Sequence, residues 1–131
     1  MTSRVTPRLV AAGAILAPLL LSSCGSDSVS KSSSSVAAEL VNGVQVAELK
    51  GTDRLVFDPT TVTAHPGKIK LTLAVTGGVP HNLEVDGIAG AAIDNVPGHE
   101  KGSVTFTAAA GTYQLICTYH PGMRGRLVVG P

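Results

Sequence analysis

Alternation of polar and apolar side chains is the most regular feature of the chain. It is clearest in the segment KIKLTL at residues 68–73, where every second residue is apolar. A period of two is typical of a strand with one buried face. On this pattern we predict strands at residues 54–57, 68–75, 81–85, 103–107, 112–117 and 125–129.

Turn-forming residues separate these runs at fairly even intervals. Pro, Gly, Asn and Asp cluster at positions 58–59, 65–67, 76–78, 96–98, 110–111 and 121–122. Many short strands with this spacing and no convincing helix predict an all-β sandwich or barrel. Val41, Val44 and Val46 indicate a further strand at the start of the domain, whereas residues 87–95 fit a loop, a short helical turn or an edge strand.

The N-terminal residues have a different character. A short segment with Arg4 and Arg8 precedes an apolar run at 9–21 that is too short to span a bilayer as a stop-transfer helix. We interpret residues 1–23 as a signal peptide. The run ends in Leu-Ser-Ser-Cys24, which resembles the lipobox of bacterial lipoproteins, where the cysteine is diacylated and becomes the mature N-terminus.

A lipid on Cys24 would anchor the protein to the cell membrane at its extracytoplasmic face. Two acyl chains hold a protein stably, whereas one chain holds it only marginally. The Ser-rich segment that follows cannot offset its ordering entropy by burial, so we predict a flexible tether over residues 24–39 and a folded domain over 40–131. An ordinary secretory peptide that happens to contain Cys24 stays open as an alternative.

Composition and charge narrow the classes of partner. Apolar residues make up 44% of the chain but aromatics only 3%, so the core must consist mainly of Val, Leu, Ile and Ala. Removal of the leader leaves eight basic against nine acidic side chains. This near-neutral balance argues against a nucleic-acid partner, which would require clustered Lys and Arg.

One short segment carries the candidate chemistry. Cys117, His120 and Met123 follow the end of a predicted strand, and His81 begins an earlier strand. Two His, one Cys and a weak axial Met form the ligand set of an electron-transfer copper centre, because soft sulfur donors favour Cu(I) and imidazoles serve both oxidation states. Zinc is the main rival, but structural zinc sites rarely use Met. An accidental cluster of a buried Cys, a turn His and a core Met is the remaining interpretation.

The sequence resembles the cupredoxin (type 1 blue-copper) family, in particular its plastocyanin and amicyanin members. The resemblance includes Phe57-Asp58-Pro59, Pro80-His81-Asn82, Gly111-Thr112-Tyr113 and the short spacing Cys-x-x-His-x-x-Met that begins at Cys117. It implies a Greek-key β-sandwich of two sheets. It also implies one mononuclear type 1 copper ion, with His81, Cys117 and His120 as strong ligands and Met123 as the axial ligand.

The resemblance extends to residues around the ligands. Asn82 and Thr118 match the polar pair that braces the ligand-bearing loops in cupredoxins, the outer support that such sites generally need. His120 precedes Pro121-Gly122, where the family exposes its C-terminal ligand His, so it is the expected electron port. Tyr119 departs from the family, because amicyanin and plastocyanin have Pro there, and its phenol could crowd or shield that port.

We therefore expect a membrane-tethered, monomeric carrier of single electrons that serves unidentified redox proteins and is not an enzyme. An extracytoplasmic copper chaperone or scavenger stays open, because the same ligands serve both functions. A multicopper enzyme would need additional His pairs. His65 and His99 adjoin Pro-Gly turns and are interpreted as solvent-accessible turn residues, and we expect no disulfide between Cys24 and Cys117.

Overall fold

The computed structural model describes residue 13 and residues 34–131. The predicted signal peptide apart from residue 13, the predicted lipidation site Cys24 and the predicted tether up to residue 33 lie outside the described residues. In the described part of the chain no helix is long and apolar enough to cross a membrane. The strands of residues 34–131 are β1 (Ser35–Ala37), β2 (Glu39–Val41), β3 (Val44–Gly51), β4 (Phe57–Asp58), β5 (Thr61–Ala64), β6 (Gly67–Val75), β7 (His81–Val85), β8 (Ala92–Val96), β9 (Lys101–Ala108), β10 (Gly111–Ile116) and β11 (Arg124–Val129).

The strands form two sheets, which confirms the predicted all-β sandwich. The first sheet has six strands in the order β1-β5-β11-β10-β7-β8, and the second has the order β2-β3-β6-β9 with β4 beside β3. Strands β7 and β10 are antiparallel neighbours, and Ile116 is paired with Glu84. Because the start of β7 then lies beside the end of β10, the sheet brings His81 and Cys117 to the same end of the sandwich.

The core lies between the two sheets and follows from alternating burial. In β6, Ile69, Leu71 and Leu73 are fully buried, while Lys68 and Lys70 are exposed on the other face. This is the predicted period of two, and each fully buried side chain of this kind stabilises the fold by roughly 1.5–3 kcal/mol. The buried cluster otherwise contains mostly Val, Leu, Ile and Ala, and it includes Cys117 and Met123 at the end that carries His81.

The strand predicted at residues 54–57 is largely wrong. Residues 53–55 form a turn in which the Leu55 amide donates to the Thr52 carbonyl at 2.9 Å, and Leu55 has a φ of 58°. Only Phe57 and Asp58 pair with β3. The run Leu-Val-Phe has the composition of a strand, but a tertiary-stabilised turn overrides that local preference.

Strand β1 lies within the range predicted as tether, so the ordered domain starts earlier than the predicted boundary at Leu40. It pairs in parallel with β5, a strand that the sequence pattern did not predict, and its three residues are exposed. Backbone hydrogen bonds hold such an edge strand, so it leaves no alternation in the sequence. The open choice at residues 87–95 is resolved as a turn followed by the edge strand β8.

Candidate metal centre

Three of the predicted ligands converge at the loop end of the sandwich. Cys117 Sγ lies 3.4 Å from His120 Nδ1 and 4.0 Å from His81 Nδ1. One donor atom from each of these residues lies within 4.8 Å of the other two. Metal–sulfur and metal–nitrogen bonds are about 2.0–2.3 Å in protein zinc sites. Two donor atoms bound to one ion of similar size are therefore separated by distances similar to those between these three side chains. The three side chains can therefore bind one ion together.

The two imidazoles differ in exposure. His81 is fully buried, whereas His120 is only partly buried, and their ring centroids lie 4.8 Å apart with an interplanar angle of 61°. Burial lowers the pKa of His81, and the neighbouring His120 lowers that pKa further, against opposing effects of the Thr52 backbone and the Asp53 carboxylate. The neutral imidazole is the form that binds a metal. The surroundings of His81 thus favour the ligand form.

The loop between β10 and β11 is closed by its own backbone. The Cys117 amide donates to the Met123 carbonyl at 3.1 Å, and the Met123 amide donates to the His120 carbonyl at 3.0 Å. Gly122 adopts a φ of 92°, which a residue without a side chain tolerates best. The closed loop leaves Met123 only 1% exposed, in the same buried cluster as Cys117.

Asn82 and Thr118 are hydrogen-bonded to each other across the two ligand-bearing segments. The Thr118 amide donates to Asn82 Oδ1 at 2.8 Å, and Asn82 Nδ2 donates to Thr118 Oγ1 at 2.8 Å. Each residue directly follows a candidate ligand, His81 and Cys117 respectively. This pair of bonds therefore fixes the two ligands relative to each other, as outer partners do in metal sites.

Gly51, at the end of β3, also supports the site, although it was not among the residues predicted from the sequence. A Cβ on this residue would lie 2.8 Å from His81 Cδ2 and 3.1 Å from His81 Cγ. The absence of a side chain at Gly51 therefore makes the room that the buried imidazole occupies. A single glycine at the end of a strand gives no sequence signal of this role, because it contacts a residue distant along the chain.

The surface at this end carries exposed apolar and aromatic side chains. Tyr119 is 45% exposed, and its ring centroid lies 6.4 Å from that of His120 with an interplanar angle of 78°. Leu55 is 41% exposed on the turn after β3. His65 and His99 are both exposed and do not belong to the group formed by His81, Cys117 and His120.

Comparison with known proteins identifies similar sequences and folds. A sequence model described as the cupredoxin-like domain matches residues 13–129. Auracyanin A, a blue copper protein from Chloroflexus aurantiacus, is 27% identical with a TM-score of 0.58, over 67% of this chain and 100% of that chain. A variant of reduced amicyanin is 27% identical with a TM-score of 0.52, over 70% of this chain and 87% of that chain.

The metal-binding domain of the Cu(I)-exporting P-type ATPase CopA from Streptococcus pneumoniae has the same fold. It is 16% identical with a TM-score of 0.65, over 76% of this chain and 98% of that chain. A search of curated protein sequences finds no match. The likeness to CopA is one of fold alone.

Proposed function

Since the chain belongs to the cupredoxin-like domain family, we propose that it binds one type 1 copper ion and carries single electrons. The observation that carries the proposal is the convergence of a thiol and two imidazoles, with Cys117 Sγ at 3.4 Å and 4.0 Å from the two Nδ1 atoms. The blue-copper character of auracyanin A, 27% identical to this chain, supports it.

The donor set fits copper. His81, Cys117 and His120 form a group without a carboxylate, so it offers none of the oxygen donors that Mg²⁺ and Ca²⁺ require. We assign these three residues as the strong ligands and the buried Met123 as the weak axial ligand. Copper bound there would accept and return one electron, since thiolate and thioether stabilise Cu(I) while imidazoles bind both oxidation states.

The contribution of the protein is to hold the donors in place. The hydrogen bonds between Asn82 and Thr118 fix the start of β7 to the ligand loop. The hydrogen bond from the Cys117 amide to the Met123 carbonyl closes that loop. Donors held by buried and hydrogen-bonded elements need to move little when the charge of the bound ion changes, which favours rapid electron exchange.

His120 is the candidate strong ligand that reaches the protein surface. It is partly exposed, whereas His81 and Cys117 are buried. We assign its outer ring edge as the electron port. Tyr119 flanks this port edge-on and would form part of the surface that a redox protein meets.

The lipid anchor is the second part of the proposal. The ending Leu-Ser-Ser-Cys24 directly after an apolar run supports diacylation of Cys24 and attachment to the extracytoplasmic face of the cell membrane. The domain would then exchange electrons, as a monomer, with redox proteins at or near that surface.

A copper chaperone or scavenger is distinguished from a carrier by what happens to the metal. The copper-loaded protein is cycled between ascorbate and ferricyanide in the presence of a Cu(I) chelator, and its bound copper is measured after each cycle. A carrier keeps its copper and regains its colour each time. Progressive loss of copper to the chelator during the reduced phase would contradict the carrier function and favour delivery.

A further inference from the structure

Asp53 lies at the exposed turn after β3, next to the segment that leads into β7. We propose that Asp53 is a positioning residue for His81: its carboxylate fixes the segment that carries this imidazole and favours the oxidised state of the metal bound there. The inference rests on the proposed function and adds a residue that contributes no ligand atom. It follows from three sets of contacts around residues 51–56 and 76–80.

The turn that bears Asp53 is closed by three hydrogen bonds. The Thr52 amide and Thr52 Oγ1 both lie 3.3 Å from the Val56 carbonyl oxygen, to which they donate. The Leu55 amide donates to the Thr52 carbonyl at 2.9 Å. Although Asp53 is exposed, its backbone therefore has a fixed place beside the end of β3.

The carboxylate contacts the segment just before His81. Asp53 Oδ1 accepts a hydrogen bond from the Val79 amide at 3.1 Å, two residues ahead of the imidazole. A Cβ on Gly77 would overlap this carboxylate, so the missing side chain lets Asp53 lie against the backbone of the segment. This contact needs an acceptor oxygen at position 53 and the absence of a side chain at position 77.

A second set of hydrogen bonds holds Thr76, at the other end of the segment 76–79. The Gly51 carbonyl accepts from the Thr76 amide at 3.0 Å and from Thr76 Oγ1 at 3.3 Å. Gly77 and Gly78 lie between the hydrogen-bonded residues Thr76 and Val79 and have little conformational preference of their own. These contacts, together with the His99 amide that donates to the Gly77 carbonyl at 3.2 Å, hold the backbone that leads into His81.

The charge of Asp53 also bears on the site. Its carboxylate lies against residues 77–79, the segment that leads directly to His81. The same charge stabilises a more positive metal ion relative to a less positive one. Since Asp53 is exposed, solvent and salt screen the effect, and the resulting change in potential should decrease as ionic strength rises.

Three variants of the full chain separate position from charge. Asp53→Asn keeps an acceptor oxygen and removes the charge, whereas Asp53→Ala removes both. Asp86→Asn is the matched control, because Asp86 is an exposed carboxylate just beyond the opposite end of β7. Two quantities are measured: the hydrogen exchange of the Val79 amide in the copper-free protein by NMR, and the reduction potential of the copper-loaded protein.

We expect Asp53→Ala to accelerate exchange at the Val79 amide, and Asp53→Asn to leave it close to that of the wild type. Both variants should raise the reduction potential at low salt, whereas Asp86→Asn should not. Unchanged Val79 exchange in Asp53→Ala would overturn the positioning role. A potential shift in Asp53→Asn no larger than that in Asp86→Asn would overturn the electrostatic role. A wild-type protein that binds no copper would overturn the proposed function and the electrostatic role, but the exchange measurement would still decide the positioning role.

Discussion

Substitution of Gly51 by Ala would place a methyl group against the buried His81 ring. The new Cβ would lie 2.8 Å from Cδ2, 3.1 Å from Cγ and 3.4 Å from Cβ of His81. The imidazole is fully buried, so it has no adjoining solvent into which it could shift to relieve the contact. Gly51 is not among the residues with positive φ, so the contact alone, and not backbone strain, determines the outcome.

The size of the effect follows from two opposing contributions. Overpacking of a close-packed interior costs about 1–3 kcal/mol. Ala is more favourable than Gly inside a strand by roughly 0.5–1 kcal/mol, which offsets part of this cost. Taking the middle of each range, we expect the free energy of unfolding of the copper-free protein to fall by about 1 kcal/mol, which lowers Tm by roughly 4–8 °C for a domain of this size.

Thermal and urea unfolding, followed by circular dichroism, measure this change. Gly78→Ala is the matched control, because its Cβ would have no heavy atom within 4 Å and its φ is not positive. The cost of Gly51→Ala should largely disappear in a His81→Ala background, where the opposing ring is gone. Equal stability of the Gly51→Ala and Gly78→Ala proteins, or an undiminished cost without the His81 ring, would refute the steric reasoning.

The remaining predictions concern the axial ligand, the brace and the anchor. Met123→Leu should keep the copper and raise the reduction potential, because Cu(II), the more positive ion, loses more stabilisation than Cu(I) when even a weak axial donor is removed. Met123→Gln should lower the potential, because a harder oxygen donor favours Cu(II) over the softer thioether; unchanged potentials in both variants would show that Met123 is not a ligand. Asn82→Ala should lower copper affinity by roughly 10–100-fold in a chelator competition, because the loop that bears Thr118 loses its hydrogen bonds to β7. Wild-type affinity in this variant would contradict a supporting role of the Asn82–Thr118 pair. Cys24→Ala should release the protein from the membrane fraction or leave it unprocessed, and unchanged detergent-dependent attachment would rule out the lipid.

Most of the candidate metal centre could be proposed from the sequence, because its donor residues are concentrated in one loop. Cys117, His120 and Met123 lie in one loop, so their spacing alone indicates a common site. His81 is distant along the chain. It is predicted as a ligand because it lies at the start of a predicted strand and because the sequence resembles the cupredoxins. The structure brings its Nδ1 within 4.0 Å of the thiol.

Gly51 and Asp53 could not be identified from the spacing of residues along the sequence. Their contribution depends on the parallel pairing of β3 with β6, which aligns Gly51 with Val75 and thereby places the turn after β3 beside residues 76–79. Periodicity within a segment contains no information on which segments become neighbours. Supporting residues of this kind therefore become visible only when the sheet register is known.

The fold was predictable where burial imposes alternation and not where backbone pairing alone forms the strand. β6 shows the period of two because Ile69, Leu71 and Leu73 face the core. β1 has no buried residue, and its parallel pairing with β5 provides only backbone hydrogen bonds. Exposed edge strands of this kind are hard to distinguish in sequence from the polar, Ser-rich residues that precede β1.

Addition of Cu(II) to the purified protein and to its Cys117→Ser variant, with visible and EPR spectra of both, tests the central claim most directly. The wild type should develop an intense blue absorption that arises from the Cys117 thiolate bound to copper. The variant should lose this band even if His81 and His120 retain some of the metal. A wild-type protein that stays colourless with bound copper, or a Cys117→Ser protein that remains blue, would contradict the assignment of a type 1 copper site.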